Sequence, residues 1–267
     1  EDALTKQMNT LLRALVNLTH GSREGCEAVM SSGLPLIGSV LAAELEGSQE
    51  RHGLAVHYDT AMMAIGLLTN CLELCPHAAD EVGSLRCAPP TAPTAPTAPT
   101  APTSAAAASE EEECTLLPLL ARTLKHLLAP LDEEEEDGGG GEGEGGAGGG
   151  GGGGGAGGVV EAAAGAADGG AAAYAAARAM VAEAEARERR VMEREVSAAY
   201  LALLIGFVCK GGDPSLAATA LCELGQPSFA RVGALLRGFL ELHASANLIS
   251  RESAQTMAAI VKWLEER

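Results

Sequence analysis

The chain has 267 residues and a formal net charge of −18, but half of its 34 glycines fall between Gly138 and Gly158 and half of its 12 prolines between Pro89 and Pro102. Residues 88–113 and 130–171 therefore read as low-complexity tracts that cannot build a core, leaving 199 residues for one sizeable core or a short solenoid. Glu110 to Glu113, Asp132 to Asp137, Glu142 and Glu144 supply 12 of the 36 acids, so the remainder is only mildly acidic at −6 and carries no dominant basic patch, which argues against direct nucleic-acid binding.

Apolar residues recur at helical spacing through every complex segment, and alternating β-branched runs are almost absent, so the expected fold class is all-α. A first helix is predicted from Ala3 to Thr19, with Leu4, Met8, Leu11, Leu12, Leu15, Val16 and Leu18 on one wide apolar face. Gly21 and Ser22 lead into a short helix that carries Cys26, Val29 and Met30 inward and ends at Gly33 as a left-handed C-cap. Leu34 to Glu46 makes a third helix, with Pro35 tolerated in its first turn.

The unit of long helix, short helix and Pro-started helix recurs. Its second copy runs Asp59 to Leu74, then Pro76 to Leu85, and after an interruption Leu116 to Leu128. A long Ala/Glu/Arg helix is expected from about Ala171. The third copy follows as Val196 to Cys209, Pro214 to Leu224 ending at Gly225, and Pro227 to His243. A final helix, Ser250 to Glu266, caps the stack, with Ser250 as N-cap and Met257, Ile260, Val261 and Leu264 facing inward.

Helical units that cannot bury their own apolar faces and repeat along the chain are the sign of an α-solenoid. The expected architecture is a right-handed α-solenoid of about three armadillo/HEAT-like repeats plus a C-terminal capping helix, with two disordered insertions. Residues 1–87 hold the first repeat and the start of the second, 88–113 the Ala/Pro/Thr and acidic insert, and 114–129 the closing helix of the second. The acidic and Gly-rich insert is 130–171, and 172–267 carries the long helix, the third repeat and the cap. The Ala-Pro-Thr run reads as an extended spacer and the glycine run as a flexible coil. Neither is a phosphate loop, because no Gly-Lys-Ser/Thr follows the glycines.

Candidate chemistry is sparse. Seven scattered cysteines read as buried thiols of a reducing compartment. Cys71, Cys75 and His77 could in principle offer three zinc ligands, but no second ligand pair stands nearby in sequence. Glutamates 183, 185, 188, 193 and 195 interleave with arginines 178, 187, 189, 190 and 194 as on a solvated helix face. No nucleophile and base are spaced for catalysis, so no catalytic, cofactor-binding or metal-binding residue is assigned and the chain is not expected to be an enzyme. No apolar run reaches the ~18–20 residues of a membrane span and no leader is visible, which predicts a soluble intracellular protein. Its start at Glu1 inside a helical pattern suggests a fragment with further residues upstream.

Asn17 and Asn70 end the long helices of the first two copies. In armadillo-like units the asparagine at this place faces the concave groove and hydrogen-bonds a bound peptide, so both are candidate protein-binding residues. Alternatively each satisfies a backbone group at a helix end. Gly206 takes the position in the third copy and breaks the row.

The phrases RALVNLTHGSREGC, AIGLLTNCLEL, AAYLALLIGFV and NLISRESAQTMAAIVKWLEE resemble the C-terminal helical-repeat domain of the wings apart-like (WAPL) cohesin-release proteins, and more closely the plant and algal branch. The second copy, Thr69-Asn70-Cys71, departs from the pattern, and the insertions are peculiar to this chain. The resemblance implies a non-catalytic nuclear, chromatin-associated regulator. It would bind cohesin through Smc and kleisin subunits, work with a Pds-type HEAT-repeat protein, and promote release of cohesin from chromatin in mitosis and meiosis. The residues leave open a generic armadillo adaptor that binds linear peptides in nuclear transport or ubiquitin ligation.

Overall fold

The computed structural model describes residues 3–49, 58–87, 115–129, 162–246 and 249–267, which among them contain no strand. The 88–113 insertion, the 130–171 insertion as far as residue 161, and Cys114, Asn247 and Leu248 lie outside the described residues. The helices are α1 (Ala3–Thr19), α2 (Arg23–Ser32), α3 (Leu34–Gln49), α4 (Tyr58–Leu74), α5 (Ala79–Gly83), α6 (Leu116–Leu128), α7 (Ala162–Gly211), α8 (Pro214–Leu224), α9 (Ala230–Ser245) and α10 (Arg251–Glu265). No single one of them is long and apolar enough to cross a membrane.

Local chemistry explains most boundaries. Ser22 accepts the Gly25 N–H to start α2, Asp213 accepts the Ser215 N–H to start α8, and Ser250 accepts the Ser253 N–H to start α10. Gly225 closes α8 in the left-handed region at φ 64°, its N–H bonded to the Cys222 carbonyl. Gly33 differs from the expected left-handed cap. It stays right-handed at φ −109°, donating to the Val29 carbonyl at 2.7 Å while its own carbonyl accepts from Ile37. The chain thus passes from α2 into α3 with a 76° bend and no intervening loop.

Three further boundaries differ from expectation. The Pro76 to Leu85 helix is a 3-10 turn, Pro76–Ala78, followed by α5. α9 begins at Ala230, three residues after Pro227. α7 begins at Ala162, ahead of Ala171, and continues unbroken through the expected Val196–Cys209 helix, because no Gly-Pro break separates the two.

The chain divides into two compact units, Glu1–Leu128 with Arg194–Arg267, and Ala129–Glu193. In the second unit the described side chains of α7 are almost all exposed, including Tyr174, Met180, Val181 and Met192 and the interleaved Glu and Arg residues from Arg178 to Arg190. The first unit holds the core.

Within that first unit α1 and α4 run side by side in the same direction. Thr60 Oγ1 donates to Asn9 Oδ1 at 2.6 Å near one end, and Asn70 Nδ2 lies 3.4 Å from Thr19 Oγ1 near the other. Both bonds join residues 51 apart, so the register is constant along the pair. The last stretch of α7 continues the arrangement beyond α4: Tyr200 shares a pocket with Met63 and Gly66, and a Cβ on Gly211 would sit 2.9 Å from the Pro76 carbonyl. Leu67, Leu68, Leu72, Leu201 and Leu204 are fully buried in this layer, and Leu116, Leu117, Leu120 and Leu124 of α6 complete the core behind it.

Polar stitches hold the unit where backbone groups would go unpaired. Arg194 Nε bonds the Leu127 carbonyl at 2.9 Å, and Arg231 reaches the Leu128 carbonyl, so two cations close the C-terminus of α6. Asp80 accepts the Asp213 N–H at 2.6 Å and ties α5 to the turn before α8. Arg86 and Thr115 pair as an antiparallel bridge, and Leu116 N–H bonds the Leu85 carbonyl at 2.8 Å, so the chain flanking residues 88–114 leaves and returns at one point.

Candidate protein-binding groove

The three parallel segments of the first unit present one surface, and a depression of about 360 Å³ crosses it. Arg13 and Val16 of α1 form one wall, Met62, Met63 and Gly66 of α4 the floor, and Tyr200 of α7 the far wall, with Tyr58 and Asp59 at one end. Gly66 opens the floor, since a Cβ there would meet nothing within 4 Å. Met62 and Met63 are unbranched and polarizable, able to repack against different apolar guests. Tyr200 is a fixed element, because its ring packs edge-on against Phe239 at 5.4 Å and 71°. Burial pushes its phenol above the usual tyrosine range, so it presents a neutral hydroxyl.

The two candidate asparagines flank this groove unequally. Asn17 is exposed, one turn beyond Arg13 on α1. Asn70 is half-buried one turn beyond Gly66 on α4, and its amide donates to the Val16 carbonyl at 3.3 Å and the Thr19 hydroxyl at 3.4 Å. The Asn70 backbone carbonyl accepts from the Cys26 thiol at 3.5 Å. The Asn70 amide thus fastens α4 to the end of α1. Gly206 has a different cause from a missing ligand contact: a Cβ there would collide with the Ile260 methyl of α10, which covers the position.

Cys71 and Cys75 are fully buried, whereas His77 is exposed on the 3-10 turn, so the three residues face different surroundings. Cys26 is the neighbour that Cys71 meets, and burial pushes both thiols up. Among the described residues no group of three His, Cys, Asp or Glu is arranged to hold a metal ion.

Met62, Met63, Gly66 and Tyr200 were not legible as site residues from sequence. The available signal was the i, i+4, i+8 series Met62, Gly66, Asn70, which places a gap between one large side chain and the candidate asparagine. No protein-family model matches the chain, and no curated protein matches it significantly.

Proposed function

We propose that the chain is a non-catalytic, protein-binding regulator of the WAPL type: a right-handed stack of about three armadillo/HEAT-like repeats capped by α10. It acts in the nucleus on chromatin, binds cohesin through Smc and kleisin subunits together with a Pds-type HEAT-repeat protein, and promotes cohesin release. The supporting observation is the groove laid across three same-direction helices, each followed by a shorter helix and a further one. The sequence phrases named above narrow that general capacity to cohesin.

Affinity capture from nuclear extract tests this reading. The whole chain should retain an Smc or kleisin subunit, and Tyr200→Ala with Met62→Ser should weaken retention by about tenfold or more. Recovery of no cohesin subunit by the folded chain overturns it. The size of the groove favours a second reading, an adaptor for linear peptides, since about 360 Å³ receives only one or two large side chains. In that case a short peptide alone should saturate the groove and compete away all bound protein.

A further inference from the structure

The exposed leucines of α1, Leu4, Leu11 and Leu18 against the buried Leu12, lie on an open helix face, whereas the groove over α4 is walled on both sides and has a glycine in its floor. Glycine inside a helix is less stable than alanine, so a helix keeps it where something must come close. A Cβ on Gly38, Gly83 or Gly206 would collide with Leu85, Leu216 or Ile260, which accounts for those three from within the chain. Gly66 has no such neighbour. A Cβ there would meet nothing within 4 Å, yet the residue is half-buried between the groove walls. Gly238 of α9 is open as well, but it is exposed to solvent.

The surroundings of Gly66 select the guest. Met62 and Met63 offer two thioethers and Tyr200 a ring held in place by Phe239; sulfur and ring both favour an aromatic guest, and a floor without a Cβ admits a flat one. Two charges flank the site. Arg13 and Asp59 both line the groove and are exposed, and neither is ion-paired with a described residue. The constant register of α1 and α4 sets Arg13 level with Ala64 and Asp59 five residues earlier, ~7.5 Å along the helix axis and about two residues of an extended peptide. We propose that the groove selects an extended segment of a partner protein by one aromatic side chain laid over Gly66, with a carboxylate toward Arg13 and a cation toward Asp59. Gly66 is then a specificity-determining residue. The inference rests on the groove being a protein-binding site, and it holds whether the partner is a cohesin subunit or another protein.

The probe is a peptide of about nine residues with Glu-Phe-Ala-Lys at its centre, made in that order and reversed, and titrated against the whole chain by fluorescence anisotropy. The better order should bind in the range of tens of micromolar, and leucine in place of phenylalanine should weaken it about fivefold. Gly66→Ala should raise the melting temperature by about 2–4 °C through helix propensity while weakening the peptide about fivefold or more. A merely structural glycine would not move the two in opposite directions. Gly66→Leu should abolish binding with helicity retained, since the added side chain enters open space. Arg13→Glu should weaken this peptide about tenfold and should bind more tightly the version with lysine in place of glutamate.

Equal affinity for the leucine peptide, undiminished binding by Gly66→Leu, or no binding of either order at about 1 mM overturns the proposal. The peptide assay contains no cohesin, so its failure is distinguishable from failure of the cohesin reading. Retention of an Smc or kleisin subunit without peptide binding overturns the aromatic selection alone, and peptide binding without retained cohesin overturns the cohesin reading alone.

Discussion

Asn70 and Asn17 differ by what surrounds them. Replacing Asn70 by alanine removes two donated hydrogen bonds at the half-buried seam between α1 and α4, and should cost about 1–2 kcal/mol in denaturant unfolding. Asn17→Ala removes an exposed side chain and should change stability by less than about 0.5 kcal/mol. If Asn17→Ala also lowers partner binding, the exposed asparagine belongs to the groove's function. Glu73 offers a pH test at the same end of α4. Burial holds its carboxyl above the ordinary glutamate range, a Thr256 hydrogen bond pulls it back, and the Glu252 carboxylate raises it further against a small opposing effect of His20. With the folded value above the unfolded one, the contribution of Glu73 to stability is full at low pH and is lost as pH rises through the raised value. Glu73→Gln should therefore raise the melting temperature at pH 7 and leave it nearly unchanged below about pH 4.

At the scale of elements, the contact between α7 and α10 is set by Gly206. Alanine at this position improves helix propensity by up to about 1 kcal/mol, but its methyl meets the Ile260 branch, which sits at Cβ and cannot swing away. Overpacking costs about 1–3 kcal/mol, so Gly206→Ala should lower the thermal midpoint and increase proteolytic release of α10. An unchanged midpoint would mean that α10 shifts at no cost. The helix limits at Ser22, Gly225 and Ser250 are readable from the sequence because each is a local bond between a side chain or turn and the next few residues. Gly33 ends α2 differently from the left-handed cap its residue type suggests. Glycine permits a left-handed ending but does not require one, and the N–H of Ile37 captures the Gly33 carbonyl instead. The start of α7 at Ala162 was also hidden, since alanine with a few glycines is compatible with helix and coil alike.

Across the whole molecule, the Arg86–Thr115 bridge means that residues 88–114 close a loop whose ends are already held together. Halving the length of such a loop alters its closure entropy by only about 0.6 kcal/mol. Replacing 88–114 by a short Gly-Ser link should therefore keep the melting temperature or raise it slightly, and a cooperative loss of helicity would show that the segment contributes packing.

Helical period and capping residues are local properties, and the sequence alone determined the all-α class and most helix boundaries. Which leucines of α1 are covered, why Gly206 is a glycine, what Asn70 bonds and that Tyr200 lines one groove with Met62 were decided only by the tertiary structure. Each depends on a helix more than 40 residues away in sequence, and a wide apolar face carries no mark of which part its neighbour covers.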